Sequence, residues 1–89
     1  MPKPLVAIEN WAVVQSVISE TFKELRPGTR LRGYVIGHAT LPNTKLVYTS
    51  PILNIDLSEG VVETHNTLYQ LGHASDDYKS WERRTISAA

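Results

Sequence analysis

Eighty-nine residues, 42% of them hydrophobic and 20% charged, are enough for one globular domain with a small core and argue against disorder. Nine basic and nine acidic side chains cancel, which removes any long-range pull toward nucleic acid or an anionic membrane and favours self-association. Cysteine is absent, which excludes disulfides, thiolate metal sites and cysteine nucleophiles; the longest apolar runs, LVAI and WAVV, fall far short of the roughly 20 residues that cross a bilayer, so a cytoplasmic protein with no membrane partner is expected.

In chain order, residues 1–8 read as an extended arm, because Pro2 and Pro4 disfavour helix in the residues before them. Residues 9–26 read as an amphipathic helix. Asn10 suits its N-cap and Glu9 its positive end. Trp11, Val14, Ile18, Phe22 and Leu25 recur at steps of three and four, with Ser16, Ser19, Glu20, Lys23 and Glu24 on the opposite side. Pro27 stops it, and Pro27-Gly28 suits the centre of a type II turn.

From residue 30 the chemistry is that of strands and turns. LRGYVIGHA carries Gly33 and Gly37, which mark bulges or bends, and TLPNTK is a turn. LVYTSPILNIDL is rich in β-formers but is broken at Pro51, which places an edge, bulge or corner at Ser50-Pro51. VVET and TLYQL form a hairpin through His65-Asn66. The expected fold is α+β: one N-terminal helix packed on a curved antiparallel meander of four or five strands spanning 30–72, followed by a short helical tail over 73–89. Asp76 and Asp77 at the start of that tail and Arg83 and Arg84 near its end follow the order the helix dipole favours.

Clusters that could carry chemistry are thin. His38, His65 and His73 lack the spacing of a metal site, and of Asp56, Glu59 and Glu63 two flank a solvent turn rather than a pocket. Ser50 and His38 resemble no nucleophile elbow. The reading is therefore a protein that is not an enzyme, with no catalytic residues, no metal and no cofactor.

Binding chemistry is better represented. Arg30 and Arg32 share a strand face with Tyr34, and with Arg26 and Lys45 nearby they could grip a phosphate backbone or an acidic partner. Tyr78, Trp81, Arg83 and Arg84 are residue types that dominate interface hot spots. Placed on a short terminal helix, they either dock on their own domain, meet a second copy in a homodimer, or enter a foreign partner.

Thr49, Ser50 and Pro51 after a strand, then Val61, Val62, Thr64 and Asn66, then Tyr69 and Leu71 closing the segment, give residues 41–72 a recognisable shape. That stretch resembles short uncharacterised proteins of phages, prophages and mobile elements of Gram-negative bacteria. The resemblance implies a setting rather than a chemistry. Small neutral proteins of such elements often bind and block a bacterial host protein, anti-CRISPR proteins among them. The expected function is thus a non-catalytic protein-binding module acting on a bacterial host factor. The alternative is a small nucleic-acid binder that uses the Arg26, Arg30 and Arg32 face.

Overall fold

The computed structural model describes residues 3–36 and 45–87, and in it the chain begins with a strand. β1 (Leu5–Val14) is followed by β2 (Arg30–Ile36), β3 (Leu46–Tyr48), β4 (Asn54–Asp56), β5 (Val61–Glu63), β6 (Leu68–Leu71) and one helix, α1 (Asp76–Ser87). The strands form a six-stranded sheet in the order β3-β2-β1-β6-β5-β4. β1 and β6 run parallel, and the other neighbours are antiparallel. The fold is α+β, but two expectations fall. There is no helix over 9–26, and the sheet is a mixed one of six strands rather than an antiparallel meander of four or five. The expected glycine at 37 and the turn over 40–45 lie, except for Lys45, outside the described residues.

The reason lies in LVAIENWAVV. Beyond the Asn10 bulge the Trp11–Val14 half is covered on both faces and loses the two-residue alternation of a half-buried strand. Such a run cannot be told from a buried helix by periodicity. Val6, Ile8, Val13 and Val14 are β-branched and stiff in a helix, which tips the local preference toward extended chain. Asn10 is no N-cap. It sits in a bulge with φ of 55°, and the register of β1 against β2 shifts between Glu9 and Ala12. Gly33 lies opposite that bulge. A Cβ there would stand 3.0 Å from both the Glu9 carbonyl oxygen and Ile8 Cγ1, so a side chain fits only if its neighbours give way.

The bulge also redirects side chains. Leu5, Ala7 and Glu9 face outward and Val6 and Ile8 inward. Beyond the bulge Ala12 and Val14 pair with Arg32 and Arg30 on the outer side, and Val13 pairs with Leu31 on the inner side. The inner side chains Val6, Ile8, Val13, Leu31, Val35, Val62 and Tyr69 are all buried.

Curling of the sheet buries them. In a flat sheet the outermost strands β3 and β4 would lie about 24 Å apart. The chain from Tyr48 to Asn54 spans at most about 21 Å. It reaches only because the sheet rolls up, and residues 49–53 bond to both sides of the roll. Thr49 N donates to the Leu31 carbonyl at 2.9 Å, Ile52 N to that of Thr29 at 2.7 Å, and Leu53 N to that of Glu63 at 2.8 Å. Ile52 is buried as the plug of the roll. Pro51 has no N–H to offer, and the Thr49 hydroxyl steps in beside it: Oγ1 accepts from Leu31 N at 3.0 Å and donates to the Ser50 carbonyl at 2.8 Å. The Thr49-Ser50-Pro51 triplet is thus the corner that closes the sheet.

The hairpin of β5 and β6 turns at His65 and Asn66, with Thr64 N and Oγ1 both donating to the Thr67 carbonyl, at 2.9 and 3.1 Å. Residues 15–27 form a loop that folds back on β1. Lys23 N donates to the Val13 carbonyl at 3.0 Å, and Phe22 bridges Val14. Pro27 and Gly28 are central in a turn closed by Thr29 N to the Arg26 carbonyl at 3.3 Å, where Gly28 adopts φ of 93°.

Candidate partner-binding surfaces

The outer face of the sheet divides in two. Its first half, over Ala12 and Val14, is roofed by the 15–27 loop and by α1. Ser75 caps α1: its hydroxyl accepts from Tyr78 N at 3.3 Å, and Asp77 Oδ1 also accepts from Tyr78 N, at 2.9 Å. Four aromatic rings then lock the helix down. Tyr78 lies 5.6 Å from Trp11, 5.4 Å from Phe22 in edge-on contact and 5.5 Å from Trp81 in a stack. Phe22 and Trp81 meet at 6.0 Å. Tyr78 is 1% exposed and its hydroxyl donates to the Lys23 carbonyl at 2.6 Å. Burial of the phenol, with Glu82 and Glu24 nearby, raises its pKa well above the ordinary 10.0.

The residues singled out in the sequence are therefore placed differently from one another. Tyr78 is inside the roof and Trp81 is half-buried in it, whereas Arg83 and Arg84 stand exposed on α1. Arg32 belongs to the roof as well. Its guanidinium lies 3.6 Å from Glu20, 3.7 Å from Asp77 and 5.5 Å above the centre of the Phe22 ring, and its side chain is only 17% exposed. Tyr48 donates its hydroxyl to the same Glu20, and that bond raises the Tyr48 pKa. Arg30 Nη1 donates to the Thr49 carbonyl at 3.0 Å, and Arg26 pairs with Glu24 at 2.6 Å. The three guanidiniums that sequence reasoning grouped as a phosphate grip are each engaged within the chain.

The second half of the outer face has no roof among the described residues. Register places Tyr34 between Glu9 and Leu46, Ile36 beside Ala7, and Leu5 beside Leu68. Leu5 is 57% exposed, Ile36 46% and Leu46 44%, while Tyr34, Ala7 and Leu68 are half-exposed between them. Of this surface the sequence reading named only Tyr34 and Lys45. The signal it passed over is the alternation of Leu5, Ala7 and Glu9 against Val6 and Ile8, hidden once the stretch from residue 9 was read as helix.

Beyond Leu5 and Leu68 the bare face ends in a shallow groove of about 350 Å³, where Asp56, Glu59 and Glu63 stand around Val61 and Gln70. The carboxylates do not converge for catalysis. Asp56 Oδ1 accepts from Ser58 Oγ at 2.7 Å and from Glu59 N at 3.2 Å, bonds that lower its pKa, and Glu63 pairs with Lys3 at 2.6 Å. His65 and His73 are exposed, and His38 lies outside the described residues. Glu9 Oε2 accepts from His73 N at 2.9 Å and lies 3.3 Å from His73 Nδ1, and the backbone bond is the main cause of a lowered Glu9 pKa. At Gly72 a Cβ would stand 1.9 Å from Glu9 Oε1, so any larger residue there would have to displace the Glu9 carboxylate from His73. Among the described residues no group of three or more His, Cys, Asp or Glu side chains is arranged to hold a metal ion, and no helix is long and apolar enough to cross a membrane.

Comparison of the chain with protein-family models, with curated proteins and with solved structures finds no match.

Proposed function

We propose that this protein is a non-catalytic binding module whose partner sits on the bare half of the outer sheet face. One observation supports this above the rest. Leu5, Ile36 and Leu46 are three large aliphatic side chains, each roughly half-exposed, on one face of the sheet: Leu46 pairs with Tyr34, Ile36 with Ala7, and Leu5 with Leu68. Scattered exposed leucines need no explanation, but a contiguous apolar patch on a folded sheet marks an interaction site. A stable contact needs about 800 Å² from each partner. The patch, extended toward Lys45 on one side and the acidic groove on the other, supplies an apolar centre with a charged rim.

The partner we propose is a bacterial host protein that the module blocks or modulates, in the manner of mobile-element inhibitors. That setting is the one implied by the sequence resemblance carried by Thr49, Ser50, Pro51 and residues 61–71.

Affinity purification from a bacterial lysate, run in parallel with wild type and with an Ile36→Glu/Leu46→Glu variant, tests the surface. The expected result is a protein that wild type retains and the variant loses, with both chains melting at the same temperature. Equal retention by both would move the contact elsewhere, and an Arg83→Glu/Arg84→Glu variant would then report on α1. Retention of nucleic acid that falls steeply with salt would replace this reading with the phosphate-binding one.

A further inference from the structure

The open face of the sheet changes character from one side to the other. Pairing sets Ile36, Ala7, Gln70, Val61 and Asp56 side by side across β2, β1, β6, β5 and β4. It sets Leu5, Leu68, Glu63 and Asn54 in the next row. Residues paired across strands point to the same face. Each row therefore starts aliphatic on β2 or β1 and turns polar or acidic by β5 and β4. The groove of about 350 Å³ lies at that change, with Leu5, Leu68 and Val61 on its aliphatic side and Asp56, Glu59 and Glu63 on its acidic side. Its volume falls within the ~300–1,000 Å³ of ligand-sized sites.

The acidic side is held in place by the chain but not neutralised by it. The turn from β4 to β5 is pinned by Gln70, whose Nε2 donates to the Glu59 and Gly60 carbonyls at 2.8 and 3.1 Å, and by Leu71 N, which donates to the Gly60 carbonyl at 2.8 Å. A wall fixed in this way loses little freedom when something docks against it. Asp56 accepts from the neutral donors Ser58 Oγ and Glu59 N. Lys3 is spent on Glu63 at 2.6 Å and on the Thr64 carbonyl at 2.8 Å. Among the described residues no basic side chain pairs with Asp56 or Glu59, so two carboxylates line the groove beside apolar surface without a counter-charge.

We infer that the partner of this face presents an arginine that lays its aliphatic stem on Leu5, Leu68 and Val61 and brings its guanidinium to Asp56 and Glu59. The inference rests on the sheet face proposed above and adds the chemistry of what that face meets. Arginine joins the two sides of the groove in one residue, because its methylenes cover apolar surface while its planar head forks to carboxylates. An uncharged partner would bury the Asp56 and Glu59 carboxylates with nothing to balance them, which is costly. The phosphates of a nucleic acid or a lipid would meet like charge. Complementarity of charge and of apolar surface thus selects a cationic, aliphatic-flanked segment of a protein.

The probe is the capped tripeptide N-acetyl-leucyl-arginyl-leucine amide, titrated into the isotope-labelled full chain and followed by NMR. The same peptide with citrulline in place of arginine is its uncharged isostere. The arginine peptide should shift the amide signals of Glu59, Val61 and Gln70 with a Kd of about 1 mM, and the citrulline peptide should bind at least about fivefold more weakly. Asp56→Asn/Glu59→Gln, which keeps an acceptor oxygen at 56 for the turn, should erase that preference at an unchanged melting temperature. The inference is overturned by an arginine peptide that shifts no groove signal up to about 10 mM, by a citrulline peptide that binds equally, or by a preference that survives the double variant. The binding-module reading is judged separately, by whether Ile36→Glu/Leu46→Glu loses the captured protein.

Discussion

The two halves of the outer sheet face start from similar material and end differently. Around Ala12 and Val14 the sheet surface is closed by Phe22, Tyr78 and Trp81, with Arg32 laid over the Phe22 ring. Around Ala7 and Leu5, a few residues earlier on the same strand, the surface stays open. The Asn10 bulge marks the boundary, and on its far side the carbonyl of His73 takes up Trp11 N at 3.2 Å while the Trp11 carbonyl accepts from Ser75 N at 2.8 Å. Those two bonds bring the chain to the N-cap of α1. The helix packs on the half it enters from, where Tyr78 meets Trp11 and Phe22. One half is thus closed by the chain's own packing, and the other is open among the described residues.

The sharpest way to break this comparison is to remove the centre of the roof. Tyr78→Ala deletes a fully buried ring and should destabilise the chain by about 3–5 kcal/mol in urea unfolding, enough to unfold a domain this small. A loss below about 1 kcal/mol would mean the roof is not packed on the sheet. Next comes the boundary itself. Gly33→Ala places a methyl against the Glu9 and Trp11 backbone and the Ile8 side chain and should cost about 1–3 kcal/mol, measured the same way. Ser75→Ala removes the helix cap and should cost about 1 kcal/mol, with helical circular dichroism lost before the sheet signal.

Acid tests the same cap. The Ser75 hydroxyl, which bonds the Asp77 carboxylate, is the first cause of an Asp77 pKa lowered from 3.8. A lowered folded-state pKa means the contribution is present above the unfolded value and is lost as pH falls through the folded one. Helicity should therefore hold down to about pH 4 and decline below it, and Ser75→Ala should shift that decline to higher pH. Tyr78 gives the opposite limb. Its raised pKa leaves stability intact below 10.0 and erodes it above, as the unfolded phenol ionises. The smallest effect belongs to the bare half. Ile36→Glu and Leu46→Glu should each change stability by no more than about 0.5 kcal/mol while abolishing partner capture. A larger loss of stability would show that this half is closed after all.

Parts of this arrangement could be read along the chain. The Pro27-Gly28 turn needs only the fixed φ of one residue and the freedom of the other. The β5 and β6 runs advertise themselves by β-branched and aromatic residues around Asn66. The acidic start of α1 lies in its own Asp76 and Asp77, although the Ser75 cap beside them was not singled out. The N-terminal third could not be read in that way. Trp11, Val14, Ile18, Phe22 and Leu25 mimic a helical stripe, yet Trp11 and Phe22 meet Tyr78 from different stretches of chain and Ile18 meets nothing. Of the candidate binding residues, Tyr78 and Trp81 were visible as aromatic anchors. Their direction was not, because that depends on where residues 11 and 22 have been placed.

What the amino-acid order determined alone is whatever a few adjacent residues can settle. It set the turns, the acidic start of the helix, the neutral charge and the absence of thiol chemistry. Tertiary structure decided the rest: that residues 9–14 extend rather than coil, that β1 lies parallel to β6, and that the sheet rolls until Ile52 plugs it. Each of these rests on hydrogen bonds and apolar contacts between residues tens of positions apart. Local propensity differs by less than about 1 kcal/mol per residue between the competing forms, so the distant contacts win.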